Sequence, residues 1–372
     1  MAEPHIPKYQ QVFLELKRSI LNNDFAPDEP FPSQESLTEQ FDTSAITIRR
    51  ALEELVDEGL IYRVRGKGTF VRGVHAPPPP APEGLKRIYI GLPGAKSLLI
   101  EERYYGDLLD GVEAYCRERG LELYCWNYDR SEDFPEGADV GVILVPHPLF
   151  PVERLHRWKS ENRRLVTVHF YYPHLDIPYV IIDNLTGGYL ATQHLLTLGH
   201  KRIGIILTGN SLYDMNQEFS LRLQGYRLAL QLNHIAMDER LVAMMPGDTE
   251  AEAMGYEGIL RLLDQDDPPT AVFATSDVKA IGCLRALEER GVRVPERLSL
   301  VGFDDIRISR FVYPGLTTVN QNTYQMGVRA AGLLCGHVPG ASDAAPTKEE
   351  IVPALVVRGS TAPPAAGGPS DR

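Results

Sequence analysis

A run of prolines divides this chain. Residues 77–80 are four consecutive prolines within the segment 75–82, which reads HAPPPPAP. Proline has no amide hydrogen to donate, and consecutive prolines favour an extended spacer, so a helix or sheet cannot continue through this point. The run therefore predicts a small domain over residues 1–74, a linker over 75–85 and a larger domain over 86–359.

The length agrees with more than one folding unit. A chain of 372 residues exceeds a single ordinary hydrophobic core. The C-terminal segment 360–372 reads STAPPAAGGPSDR and has almost no apolar side chain to bury. We therefore expect residues 360–372 to form a disordered tail.

Composition excludes several classes of protein. The hydrophobic fraction is 43% and the charged fraction is 24%, as in soluble globular proteins. No stretch approaches the ~20 apolar residues of a membrane span, and the N-terminus shows no signal peptide. The four cysteines lack metal-site spacing. We expect a cytoplasmic protein with no membrane association, metal or other cofactor, and the lack of local catalytic motifs favours a protein that is not an enzyme.

The first segment predicts three helices and a hairpin. Apolar residues recur at helical spacing over residues 9–22, over Gln34–Gln40 and over Ser44–Asp57. Two short β-like runs follow, Leu60–Arg65 and Thr69–Arg72, separated by a glycine-rich turn. This order of elements is typical of a winged helix-turn-helix, an architecture that reads DNA.

The third helix has the side chains of a DNA-reading helix. Ser44, Thr47, Arg49 and Arg50 lie near its start, where polar groups can reach base edges and phosphates. The first 75 residues hold 9 Lys/Arg and 12 Asp/Glu, so any basic face comes from clustering and is modest. A small helical unit of this kind can also serve as a protein-interaction module, which remains the alternative from pattern alone.

Residues 7–71 resemble the DNA-binding domain of the GntR family. The motifs that carry the resemblance are Pro32-Ser33, Thr47-Ile48-Arg49, Glu58-Gly59-Leu60 and Gly66-Lys67-Gly68-Thr69-Phe70-Val71. The resemblance implies a transcription regulator whose third helix and wing bind double-stranded DNA. The implied DNA-binding residues are Tyr9, Ser33, Ser44, Thr47, Arg49, Arg50, Arg65, Gly66, Lys67, Gly68 and Thr69.

Two positions depart from the GntR pattern. Glu35 and Ala45 stand where the family often has arginines that contact DNA. These departures indicate that the DNA sequence bound by this chain differs from the usual GntR sites.

The second segment alternates strands and helices. Its β-like runs are Arg87–Gly91, Leu121–Trp126, Val140–Val145, Leu165–Val168, Val180–Ile182, Arg202–Leu207, Ala271–Ala274 and Leu298–Gly302. Helical stretches, such as Leu108–Arg119, Leu185–Leu198 and Val278–Glu289, lie between them. Such alternation predicts an α/β fold with parallel sheets, and its length predicts two lobes. Ligands of such folds bind at the carboxyl ends of the strands.

This segment resembles the effector domain of LacI/GalR regulators. The motifs are Ile182-Asp183-Asn184, Leu198-Gly199-His200, Arg222-Leu223-Gln224-Gly225-Tyr226, Ala274-Thr275-Ser276-Asp277 and Val301-Gly302-Phe303-Asp304-Asp305. The resemblance implies a two-lobed fold like that of periplasmic sugar-binding proteins, with a small sugar-like effector between the lobes. The implied effector-binding residues are Tyr104, Tyr105, His169, Arg222, Ser276, Asp277, Asp304 and Gln321.

These residue types suit a polyol. Arginine, aspartate and glutamine form hydrogen bonds with hydroxyl groups, and tyrosine offers a ring face for stacking. Ser276 is shorter than the asparagine that the family usually has, and Thr249 replaces an aromatic residue found in many relatives. For Asp277, the alternative role is a helix cap or a hydrogen bond at the hinge.

We therefore predict a sequence-specific transcriptional regulator, a repressor and a homodimer, which binds a palindromic operator under the control of a sugar-like effector. The dimer follows from geometry, since one winged helix reaches few bases and two reach both half-sites. The alternatives are a sugar-binding transport protein without a regulatory role, an enzyme with a two-lobed body, and an activator.

Overall fold

The computed structural model of this chain falls into two compact units, Met1–Pro78 and Pro79–Arg372, and the division lies inside the proline run. Within the described ranges, none of the helices combines the length and the apolar character that a membrane span requires. The structure describes residues 8–21, 25, 31–57, 61–64, 68–71, 84–94, 104–130, 133–161, 163–172, 174–247, 250–336 and 348–365.

The first unit contains three helices and a hairpin, as predicted. The elements are α1 (Lys8–Leu21), α2 (Gln34–Gln40), α3 (Ala45–Asp57), β1 (Ile61–Val64) and β2 (Gly68–Val71). Apolar positions three or four residues apart give α1 and α3 one buried face each. The side chains that meet in the core are Val12, Phe13, Leu16, Ile20, Phe31, Leu37, Ile48, Ala51, Leu52, Leu55, Ile61 and Val71.

The second unit contains two α/β lobes. The first lobe begins with β3 (Arg87–Leu92), α4 (Tyr104–Arg119), β4 (Glu122–Asn127), β5 (Val140–Leu144), α5 (Val152–Ser160), β6 (Leu165–Val168) and β7 (Tyr179–Ile182). The second lobe contains α6 (Asn184–Thr197), β8 (Ile203–Thr208), α7 (Gln217–Leu232), β9 (Val242–Met245), α8 (Glu252–Leu263), β10 (Ala271–Ala274), α9 (Asp277–Glu289) and β11 (Ser299–Val301). The chain ends with β12 (Thr318–Asn320), α10 (Thr323–Gly336), β13 (Lys348–Ile351) and β14 (Ala354–Val356).

Both lobes have parallel sheets. The sheet of the first lobe has the strand order β13-β7-β6-β5-β3-β4, and that of the second has β11-β10-β8-β9. Every residue of β5, β6, β7, β8 and β10 is buried, as expected for strands covered by helices on both faces. The predicted α/β architecture is confirmed.

The chain passes between the two lobes three times within the described residues. It leaves the first lobe after β7, returns with α10 and β13, and leaves again at β14, which pairs with β12 in a separate antiparallel ribbon. The first lobe is therefore built from two distant parts of the sequence.

Helices α6 and α7 touch through their backbones. A Cβ atom added to Gly188 would lie 2.2 Å from the carbonyl oxygen of Arg222, and one added to Gly225 would lie 2.1 Å from that of Leu185. Reciprocal glycines of the same kind hold α4 against α10 (Gly111, Gly327) and α8 against α9 (Gly255, Gly282). Hydrogen as the side chain at each crossing lets the two helices approach this closely.

The prediction of a tail that is disordered from residue 360 is wrong for its first residues. Ser360 is fully buried. Its hydroxyl donates to the carbonyl oxygen of Leu300 at 2.6 Å and accepts from the amide of Thr317 at 2.8 Å. The tail is polar in composition, but these hydrogen bonds to the second lobe fix its start. Residues 366–372 lie outside the described residues.

Candidate functional site

The start of α3 is built by short polar side chains. The Ser44 hydroxyl accepts from the Thr47 amide at 3.2 Å and lies 2.8 Å from the Thr47 hydroxyl, which caps the helix. The Gln34 side chain of α2 donates to the carbonyl oxygen of Ala45 at 3.2 Å. These bonds fix the angle between the two helices of the helix-turn-helix. Ser33 caps α2 in the same way, by accepting from the Ser36 amide at 3.1 Å.

The two adjacent arginines of α3 have different environments. Both Arg49 and Arg50 are exposed. The Arg50 guanidinium lies 3.8 Å from the centre of the Tyr9 ring, so a cation–π contact holds it against α1. Arg50 is therefore in contact with α1, whereas the structure gives Arg49 as exposed. The departures Glu35 and Ala45 are also exposed, beside this surface.

The wing is only partly described. Its strands β1 and β2 pair antiparallel, with Val64 opposite Gly68 and Arg63 opposite Thr69. The carbonyl oxygen of Thr69 accepts from the Phe31 amide at 2.7 Å, which ties the wing to the segment before α2. Arg65, Gly66 and Lys67 at the tip lie outside the described residues.

In the second unit, predicted effector residues follow the carboxyl ends of several strands. His169 follows β6, Ser276 follows β10, Asp304 follows β11 and Gln321 follows β12. Because parallel strands end at one edge of their sheet, this placement is the usual ligand site of such folds. His169 and Asp304 have left-handed backbone, with φ of 68° and 117°. Such strain is common at binding sites, where the surrounding structure must hold it.

Arg222 lies at the centre of the buried cluster. Its Nε donates to the Asn184 side-chain oxygen at 2.8 Å, and its Nη1 donates to the carbonyl oxygen of Thr275 at 2.7 Å. The guanidinium lies 3.8 Å from the centre of the Phe303 ring. These contacts fix the plane of the guanidinium group. Its Nη1 lies 3.8 Å from Asp304 Oδ1. A fixed guanidinium beside a carboxylate can bind adjacent hydroxyl groups of a polyol.

Asp304 and Gln321 are direct neighbours. Gln321 Nε2 donates to Asp304 Oδ1 at 2.5 Å, and both residues are shielded from solvent. Burial raises the pKa of Asp304 well above its ordinary value, and the charge of Arg222 opposes this.

His169 and Glu218 bridge the two lobes. His169 of the first lobe places Nδ1 3.5 Å from Glu218 Oε1 at the start of α7. A second link lies beside it, where the Tyr171 amide donates to Gln217 Oε1 at 3.2 Å. Burial raises the pKa of Glu218, but the hydrogen bond from His169 and the charge of Arg222 together leave it below its ordinary value. These two contacts join the two lobes.

Ser276 and Asp277 have structural contacts. The Ser276 hydroxyl accepts from the Lys279 amide and caps α9. The Asp277 carboxylate accepts from Ser309 at 2.5 Å, from Thr318 at 2.5 Å and from the Ile306 amide at 2.9 Å. Burial raises the pKa of Asp277 to about 7, although the two hydroxyl groups oppose this. Asp277 therefore fits the alternative, a hydrogen bond within the second lobe, rather than effector binding.

The two tyrosines after β3 begin α4. The ring of Tyr105 is half-buried and lies 6.4 Å from the His169 ring, edge to face, so it contacts the predicted effector set. The side chain of Tyr104 and residue Thr249 lie outside the described residues.

Sequence reasoning missed three charged residues of the cluster. Glu218, Glu250 and Lys279 face the same region as Arg222 and Asp304. For Lys279 the sequence contained one signal. Lys279 lies four residues before Cys283, so the two side chains share the apolar face of α9. The other two are ordinary surface residues by sequence.

A cavity of about 130 Å³ lies beside this cluster, between the lobes. Leu149 of the first lobe and Thr208, Asn216 and Phe219 of the second line it. This volume is below the ~300–1,000 Å³ of ordinary ligand pockets.

Comparison with known proteins identifies both units. Residues 8–71 match the gntR family of bacterial regulatory proteins, and residues 192–361 match the periplasmic binding protein-like domain. The HTH-type transcriptional repressor PurR of Haemophilus influenzae (strain PittEE) is 31% identical over 273 residues, which cover 70% of this chain and 78% of PurR. The arabinose metabolism transcriptional repressor of Geobacillus stearothermophilus is 28% identical over 374 residues, which cover 97% of this chain and 99% of that repressor.

This chain is a transcriptional regulator of the GntR–LacI type. Its relatives are DNA-binding repressors, which favours this function over the transport-protein alternative. Among solved structures, a LacI family regulator from Mycobacterium smegmatis has a TM-score of 0.62 at 27% identity and covers 74% of the regulator and 99% of that chain. The transcriptional regulator CelR in complex with cellobiose has a TM-score of 0.64 at 25% identity and covers 89% of the regulator and 100% of that chain.

Proposed function

We propose that this regulator is a cytoplasmic repressor that binds a palindromic operator as a homodimer, and that a sugar-like effector between the lobes releases it. The observation that supports the effector site is the cluster around Arg222 and Asp304, which is buried, polar and placed at the strand ends. Burial of an arginine guanidinium group beside a carboxylate costs free energy of desolvation. Hydrogen bonds with a ligand offset part of that free energy.

A sugar is the effector class that these residues suit best. The cluster offers donors from Arg222, acceptors from Glu218 and both from Gln321, which match the two-way hydrogen bonding of hydroxyl groups. Related regulators include one solved with cellobiose and one named for arabinose metabolism. A thermal-shift screen of mono- and disaccharides tests this directly, because a bound ligand raises apparent stability by mass action. A panel that leaves the melting temperature unchanged would contradict a sugar effector.

The effector must bind the DNA-competent and DNA-incompetent states unequally to control binding. We propose that this difference comes from a hinge motion between the lobes, because the His169–Glu218 contact joins the lobes and their separation would break it. Solution scattering with and without a tight ligand measures the closure. Identical profiles would count against a hinge mechanism.

Arg49→Ala is expected to weaken operator binding by about 1–3 kcal/mol while leaving the thermal shift with effector unchanged. Arg49 is exposed on α3, and a bidentate arginine contact with a base contributes roughly this much to discrimination. The measurement is a gel-shift titration with the promoter DNA of the regulator's own gene. The matched control is Arg227→Ala in the second unit, an exposed arginine that should not affect DNA binding. Equal losses in both variants would show that the domain assignment is wrong.

The second unit presents a surface for the dimer that we propose. Phe311 and Tyr313 follow the 3₁₀ helix Arg307–Arg310 and are 76% and 96% exposed. Adjacent exposed aromatic side chains are enriched at protein interfaces. We expect Phe311→Asp to shift the sedimentation coefficient from dimer towards monomer at micromolar concentration, whereas Tyr324→Asp, elsewhere on the unit, should not. A Phe311→Asp protein that sediments like the parent would place the dimer surface elsewhere.

A further inference from the structure

Lys279 is a cation in an unfavourable place. Its side chain is 0% exposed, and it is the third residue of α9, where the helix dipole repels positive charge. The nearby charge of Arg222 repels it as well. Burial lowers the pKa of Lys279, and Glu250 opposes this. An anion beside a buried cation stabilises its charged form.

Beside Lys279, that anion is the carboxylate of Glu250. Lys279 Nζ forms an ion pair with Glu250 Oε1 and lies 3.3 Å from the Ser276 hydroxyl. The Phe219 ring covers the ammonium group at 4.3 Å. Glu250 itself is 28% exposed and lies just before α8. The ion pair thus joins a fully buried cation to a partly exposed anion.

The charges of the cluster agree with replacement of Glu250 by a negative group of a ligand. Arg222 lies 3.8 Å from both Glu218 and Asp304, whereas the ion pair of Lys279 is with Glu250. Displacement of Glu250 would leave the Lys279 ammonium group without its carboxylate, and one negative group of a ligand would take that place. A neutral sugar would leave this charge unbalanced if it displaced Glu250.

We propose that the effector is an anionic sugar, a sugar acid or a sugar phosphate, whose negative group binds Lys279 in place of the Glu250 carboxylate. This inference rests on the proposed function, because it concerns the same cleft. Lys279 and Glu250 then determine specificity: Lys279 selects the charge, and Glu250 neutralises the site when no effector is present.

The test uses matched ligands with the full-length regulator. Glucose, gluconate, glucuronate and glucose 6-phosphate, with the corresponding galactose and arabinose sets, are titrated by calorimetry. We expect the anionic member of one set to bind at least about tenfold more tightly than its neutral parent. Binding of the acids and of the phosphates in separate titrations distinguishes carboxylate from phosphate.

Two variants test whether the preference for anionic sugars depends on the Lys279–Glu250 ion pair. Lys279→Met keeps the volume of the side chain and is expected to remove the preference for anions. Glu250→Gln cannot neutralise Lys279, so we expect a lower melting temperature without ligand and a larger upward shift with the anionic sugar. Arg285→Met is the matched control, because Arg285 lies on the same helix in an exposed pair with Glu289.

The possible outcomes separate the two proposals. A neutral sugar that binds as tightly as its acid and phosphate, or a Lys279→Met protein that keeps the anion preference, would overturn this inference and leave the sugar-controlled regulator standing. If none of the ligands binds the parent protein, both the sugar effector and this inference fail.

Discussion

Arg222→Met is expected to lower the free energy of unfolding of the second unit by about 3–5 kcal/mol and to abolish effector binding. The substitution removes the donors to Asn184 and Thr275 and leaves the buried Asp304 and Glu218 without their shared cation. Removing one partner of a buried charged network has a cost of this size. Urea unfolding measures the stability loss, and the saccharide thermal-shift panel measures the loss of binding.

Two further variants separate charge from geometry. Arg222→Lys keeps the positive charge but loses the planar fork, so we expect a smaller loss of stability with an equal loss of effector binding. Arg227→Met, an exposed position on the same helix, should change the stability by less than about 0.5 kcal/mol. An Arg222→Met protein that still binds the effector would show that Arg222 holds the lobe together without contacting ligand.

Gly225→Ala is expected to lower the free energy of unfolding by about 3 kcal/mol or more. The new methyl group would lie 2.1 Å from the carbonyl oxygen of Leu185 and 2.5 Å from the amide nitrogen of Tyr189. Both are backbone atoms of α6, so relief requires the two helices to separate, which is worse than ordinary overpacking. Since Asn184 on α6 holds Arg222 on α7, separation would also disturb the effector cluster.

The control for this prediction is Gly106→Ala in α4. Among the described residues, no atom beyond the neighbouring residues and the backbone of the same helix lies within 4 Å of a Cβ built on Gly106, so alanine should stabilise the helix by up to about 1 kcal/mol. Urea unfolding of both variants gives the comparison. A Gly225→Ala protein as stable as the parent would mean that α6 and α7 do not approach as closely as described.

The sequence predicted local features well. The proline run gave the division into two units, and the helical and β-like patterns of residues 9–72 and 87–302 gave most of the elements with ends within a few residues. These signals depend on short stretches of chain, where periodicity and capping residues such as Ser33 and Ser44 act locally. Arg222 and Asp304 were predicted as effector-binding residues from their positions in the LacI/GalR motifs. The spacing of residue types alone did not predict that they lie together.

The sequence did not predict the contacts between residues that are distant along the chain. The three partners of Asp277 lie on segments up to 41 residues away. Ser360 is ordered because its hydroxyl meets Leu300, sixty residues earlier, although the local composition predicts disorder. The return of α10 and β13 to the first lobe likewise has no local sequence signal.

The sequence by itself determined which kinds of elements form and which residue types can read DNA and bind hydroxyl groups. The tertiary structure decided which charges share one cleft, bringing Glu218, Glu250 and Lys279 beside Arg222 and Asp304. The physical reason is that local propensity acts over a few residues. The burial and pairing of a charge, in contrast, depend on every segment that packs around it.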